Sequence, residues 1–113
     1  MLESVTSAAL SSALDGLAAR QRAIANNIAN VNTPGYTAER VSFEDALAAS
    51  VARGDGHAAS TTGRSLEPTR LDGNNVNLDT ETLSNVDTVL GFQFASQAAG
   101  NEFSLIRAAL KTS

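Results

Sequence analysis

Apolar residues recur with a helical period along residues 2–32. Leu10, Leu14, Leu17, Gln21, Ile24, Ile28 and Val31 are spaced 4, 3, 4, 3, 4, 3. A stripe of this kind, with one polar member, predicts a helix that packs lengthwise on another helix. Ala13, Ala18, Ala25 and Ala29 widen the stripe and let a partner approach closely. Pro34 disfavours α geometry in the residue before it, so the helix, predicted within 1–33, ends near Thr33. Pro34 and Gly35 then fit the two central positions of a type II turn.

A second long helix is predicted over 79–113. Asp79 or Thr80 can cap it, and Glu81 suits its first turn. One of its apolar stripes runs through Leu83, Val86, Leu90, Phe94, Ala98 and Leu105. Another runs through Phe92, Ala95, Ala99, Phe103, Ile106 and Leu110. A helix apolar on two sides needs burial on two sides. The first helix can cover only one of them, so the other calls for another subunit. Gly91 and Gly100 each cost about 1 kcal/mol relative to Ala in a helix interior, which makes them candidate breaks.

The connection, 34–78, has no sustained period. Thr37 to Val41 reads as extended. Ser42-Phe43-Glu44-Asp45 matches a capping box and predicts a short helix near 43–52, ended by Gly54-Asp55-Gly56. Ala58 to Arg64 is small and polar, and Glu67-Pro68-Thr69 and Asp72-Gly73-Asn74 are turn chemistry. The stretch 53–71 is expected to be a weakly structured tether or a segment ordered by partners. The predicted fold is all-α. Two long terminal helices pack as an antiparallel coiled-coil-like pair, joined by a long, mostly irregular middle segment with one short helix. The chain forms a single assembly domain.

Composition sharpens this picture. Of 113 residues, twenty are Ala, while Leu, Ile, Val and Phe together number 26. Trp is absent and there are four Phe. Alanine buries little area, so the chain is not expected to build a robust core alone. A net charge of -4 argues against nucleic acid or an anionic membrane as partner. Cysteine is absent, which excludes disulfides and thiolate metal sites. No apolar run approaches the ~20 residues of a membrane span. Met1-Leu2-Glu3-Ser4 lacks the basic start of a cleaved secretory signal.

Candidate chemistry is sparse. His57 lies between Gly56 and Ala58, where local spacing fixes no catalytic or metal-ligating constellation around it, so it reads as a surface loop residue. Glu44 and Asp45 are adjacent and diverge on a helix. Residues 72–81 are rich in oxygen ligands, but Val76 and Asn77 stand where a calcium loop needs an oxygen ligand and Gly. No catalytic, cofactor or metal site is expected, and no small-molecule substrate. The asparagines say more. Asn26, Asn27, Asn30 and Asn32 crowd the end of the first helix, although Asn is a poor helix former. C-capping by Asn30 or Asn32 accounts for one or two of them. The others suggest amides that bond a neighbouring chain or loop.

The run Ile24-Ala25-Asn26-Asn27-Ile28-Ala29-Asn30-Val31-Asn32-Thr33-Pro34-Gly35-Tyr36 resembles the signature of the bacterial flagellar rod, hook and hook–filament junction family. No β-rich insertion separates the two helices, which favours the short rod proteins. Thr37 to Leu47 and Asp72 to Glu81 are similar to the proximal-rod, FlgB-type branch. Gly91 and Gly100-Asn101-Glu102 depart from the basic residues common in that branch.

The resemblance implies a structural subunit without enzymatic activity. It implies terminal helices that pack into a torque-transmitting tube, and export by the flagellar type III apparatus without a cleaved signal. It places the chain in the basal body, in the cell envelope. The implied partners are copies of itself, other rod proteins, the rod-to-ring adaptor, the membrane-ring protein and the export gate. The alternative is a small secreted or adaptor coiled-coil protein that binds one partner.

Overall fold

The computed structural model describes residues 4–112. Helix α1 spans Val5–Ala29, strand β1 Glu39–Ser42, helix α2 Glu44–Ala52, strand β2 Thr61–Arg64 and helix α3 Leu78–Thr112. The predicted helix ends at residues 1–3 and 113 lie outside the described residues.

Helices α1 and α3 run antiparallel. The Ser4 hydroxyl lies 3.5 Å from Glu102, and Asn27 bonds Glu81 at 3.1 Å. Between these ends, Leu17 lies against Gly91. Residues 103–112 therefore run past the start of α1, and the molecule is elongated, 66 × 25 × 17 Å. Helix α3 is continuous through Gly91 and Gly100, so neither glycine breaks it.

The helix boundaries follow from capping. Ser4 accepts a hydrogen bond from the Ser7 N–H at the start of α1. At the other end the helix stops at Ala29, earlier than Pro34 alone requires. The Asn30 N–H bonds the carbonyls of Asn26 and Asn27, and its Nδ2 donates to the Asn26 carbonyl at 2.8 Å. Asn30 thus closes the last turn by itself. At α3 the cap is neither Asp79 nor Thr80. Asn77 Oδ1 accepts from the N–H groups of both, at 2.9 and 3.3 Å.

The middle segment differs most from expectation. An all-α fold is corrected by a two-stranded antiparallel sheet, in which Glu39 pairs with Arg64 and Ser42 with Thr61. An isolated pair of such short strands is marginal. Here Ala38 and Val41 are buried, so the fold supports the pair from beneath. The pairing also consumes Ser42, and the expected capping box does not form. Helix α2 starts after Phe43 with no side-chain cap.

Residues 53–58 are not a loose tether. Ser12 Oγ donates to the Gly56 carbonyl at 3.1 Å and accepts from the Ala58 N–H at 3.2 Å. Ser50 Oγ donates to the His57 carbonyl at 2.7 Å. Gly56 has φ +86° and lies so close to α1 that a Cβ would sit 2.6 Å from the Val5 carbonyl oxygen.

The apolar core is small: Leu17, Ala23, Val41, Phe43 and Ala95, with Leu14, Leu47 and Phe92 packed around it. Only three of the five carry large side chains, each contributing about 1.5–3 kcal/mol. Phe43 reaches this core because Gly16 leaves room. A Cβ on Gly16 would stand 2.5 Å from the Phe43 ring. Opposite effects are therefore expected at two helical glycines. Gly16→Ala should destabilise by about 1–3 kcal/mol through overpacking. Gly100→Ala, where a Cβ meets nothing within 4 Å, should stabilise by about 1 kcal/mol. Urea unfolding followed by circular dichroism checks both.

Candidate functional site

The most buried large side chains of the described residues are mostly polar. Glu81, Asn27 and Asn74 are each 0% exposed. An unpaired buried carboxylate would cost several kcal/mol, so its partners define the local structure. Glu81 Oε1 accepts from Arg40 Nη1 at 2.7 Å, and Oε2 accepts from Asn27 Nδ2 at 3.1 Å. Asn27 also brackets strand β1. Its Nδ2 donates to the Glu39 carbonyl at 3.0 Å, and its Oδ1 accepts from the Glu39 N–H at 2.7 Å. The Tyr36 hydroxyl donates to the same Oδ1 at 3.3 Å. One amide thus ties α1, β1 and α3 together.

A second amide cluster holds the Pro-Gly turn. Gly35 has φ +76° and the Tyr36 N–H bonds the Thr33 carbonyl, the geometry of a type II turn. Asn74 Nδ2 donates to the carbonyls of Asn30 and Thr33, at 2.8 and 2.9 Å. Arg70 bridges the Val31 and Val76 carbonyls, both at 2.7 Å. Asn75 Oδ1 accepts from the Ala38 N–H at 2.7 Å. The asparagine network is therefore largely internal to the chain. Asn27 and Asn30 belong to it, whereas Asn26 and Asn32 are exposed.

A third tie anchors α2. Arg20 forms a two-pronged ion pair with Glu44, at 2.5 and 2.8 Å, donates to the Val41 carbonyl, and stacks 4.9 Å over the Phe43 ring. Hydrogen bonds from Arg20 hold the Glu44 carboxyl at about 2, below its ordinary 4.5. These polar ties were not selected from sequence. Arg20, Arg40, Asn74, Asn75 and Glu81 reveal their roles only once the segments meet. The one visible signal was a second asparagine pair at 74–75 echoing the cluster at 26–32.

The predicted interface residues divide into two groups. On α1, Leu17 and Ile24 are buried, Leu10, Leu14 and Gln21 are half-buried, and Ile28 is exposed; Val31, just past the helix, is half-buried. On α3, Phe92 is half-buried against the core. The opposite stripe is uncovered: Leu83 is 65% exposed, Leu90 59% and Phe94 76%, with Val86 beside them. Phe103, Ile106 and Leu110 continue the inward face and are exposed. Leu10 and Leu14 line a groove with Phe103 and Ile106. His57 is exposed. Among the described residues no cluster of His, Cys, Asp or Glu could hold a metal ion, and no helix is long and apolar enough to cross a membrane.

Helix α1 thus ends in a turn tied by amides, beside a helix with an uncovered apolar stripe. Residues 9–37 match the family described as flagella basal body rod protein. The match covers most of α1 together with the Asn-rich end and the Pro-Gly turn, the region that Asn27, Asn30 and Asn74 organise. No curated protein matches the chain. The match makes this segment similar to flagellar basal-body rod proteins.

Two outcomes are expected from these polar ties. Glu81→Ala leaves Asn27 and Arg40 without their buried acceptor, while Arg40 stays partly exposed and keeps Glu67 at 3.6 Å, so it should cost about 1–3 kcal/mol, read as a lower urea midpoint. The Arg20–Glu44 pair predicts a pH dependence. A carboxyl with a lowered folded-state value contributes stability above about 4.5, and that contribution is lost as pH falls toward about 2. The stability gap between the native chain and Glu44→Gln should therefore narrow over that window in thermal melts.

Proposed function

We propose that the chain is a structural subunit of the proximal rod, the FlgB-type position, and that it has no catalytic activity, cofactor or small-molecule substrate. The observation that carries this reading is the uncovered apolar stripe Leu83–Val86–Leu90–Phe94 on a helix whose other side already packs on α1. Contiguous exposed apolar surface of this kind marks an interaction site. In this reading the terminal helices assemble with copies of the chain and with other rod proteins. The neighbours at the rod base are the rod-to-ring adaptor, the membrane-ring protein and the export gate.

The thin apolar core fits export through the flagellar type III apparatus without a cleaved signal. A chain with few large core residues and no cysteine is easily kept unfolded in transit and gains its missing burial on installation. Torque transmission then depends on helix packing between subunits.

Deletion of the gene should abolish motility and remove rods from basal-body preparations. Complementation with His57→Ala should restore both, and complementation with Leu17→Asp should restore neither. Motility that survives the deletion would overturn the rod reading in favour of a small secreted or adaptor coiled-coil protein.

A further inference from the structure

The exposed stripe of α3 has a counterpart on the same molecule. On α1, Ala18 is half-buried and Arg22, Ala25 and Ala29 are exposed, and the four are spaced 4, 3, 4. On α3, Leu83, Asp87, Leu90 and Phe94 are exposed and spaced 4, 3, 4 as well, with Asp87 at the edge of a groove that Leu17 and Arg20 of α1 also line. One face is small and the other large, so side chains of the second can seat between the alanines of the first. Each face has one charge at the corresponding place, Arg22 on one and Asp87 on the other. Among the described residues, neither makes an ion pair within the chain.

We propose that the α3 stripe of one copy docks on the outward α1 face of a second copy, with the two helices antiparallel. This rests on the rod reading for its direction: copies in a continuous shaft point the same way, so α3 of one runs against α1 of the next. In that register Ala29 meets Leu83 and Ala18 meets Phe94. Arg22 packs beside Leu90, one turn from Asp87, within reach of a salt bridge on the diagonal. The two faces lie on opposite sides of the α1–α3 pair, so the contact is heterologous. It repeats from copy to copy instead of closing a two-fold dimer. Asp87 and Arg22 contribute register more than affinity, since an exposed pair is worth at most about 1 kcal/mol.

The cysteine-free chain allows a direct test. Purified full-length Ala29→Cys and Leu83→Cys proteins, mixed and mildly oxidised, should form mixed disulfides. So should Ala18→Cys with Phe94→Cys. Ala18→Cys with Leu83→Cys should not, because that pair meets only in the parallel register. Single charge reversals, Arg22→Asp or Asp87→Arg, should lower the yield about threefold to fivefold, and the double reversal should restore it. The side chains changed here lie on exposed or half-buried faces, and circular dichroism checks that each variant folds as the parent does.

Absence of mixed disulfides, self-linking of Leu83→Cys alone, or the parallel pattern would each overturn the proposal. The same variants in purified basal bodies separate the two levels of inference. A chain present there without the cross-links sinks the contact and leaves the rod reading standing. A chain absent there that cross-links in solution sinks the rod reading and leaves the contact standing.

Discussion

The fold depends on one buried carboxylate. Glu81 sits in the first turn of α3, out of contact with water, and its charge is compensated by Arg40 from β1 and the Asn27 amide from α1. A buried ion pair is weak evidence for net stability, because desolvation consumes most of what the attraction returns. Its effect is on uniqueness. Sliding α3 by one turn would part Glu81 from both Asn27 and Arg40. The alanine-rich helices, which could pack in several registers with similar apolar burial, are held in one.

That constraint propagates outward. With Asn27 committed to both edges of Glu39, β1 is fixed against α1 and provides the pairing edge for β2. With Glu81 fixed, Ala95 and Phe92 come to rest on the core, and Leu83, Leu90 and Phe94 are turned away from it. The same register that satisfies the polar groups therefore creates the exposed stripe. The rod-family match at residues 9–37 ends just beyond Tyr36, whose hydroxyl closes the network on Asn27. The Asn-rich signature is thus explicable as internal architecture: it stops the helix, shapes the turn and receives α3.

Much of this was legible in the residues. The 4–3 spacing on α1 gave the long first helix, and two apolar stripes on α3 gave a helix with one face to spare. Pro34-Gly35 gave the turn. Less legible were contacts between segments far apart in the chain. Nothing in Thr61-Thr62-Gly63-Arg64 marks it as a strand, because its pairing depends on β1 already lying on α1. Ser42 looked like a cap and became a strand residue, since ladder bonds outcompeted a local side-chain bond. Nothing marked Gly16 in the sequence, and only the arrival of Phe43 shows why a side chain there would not fit.

By itself the sequence determined where the helices run and which of their faces are apolar, because periodicity is local and every turn repeats it. It also determined that the core would be thin, because that is a matter of residue counts. The tertiary structure alone decided which apolar face is covered and which asparagines are buried. It also decided that the middle segment is a tied strap with a small sheet. These outcomes turn on satisfying the buried Glu81 charge and a handful of backbone groups, and the partners that do so stand 12 to 54 residues from Asn27 along the chain.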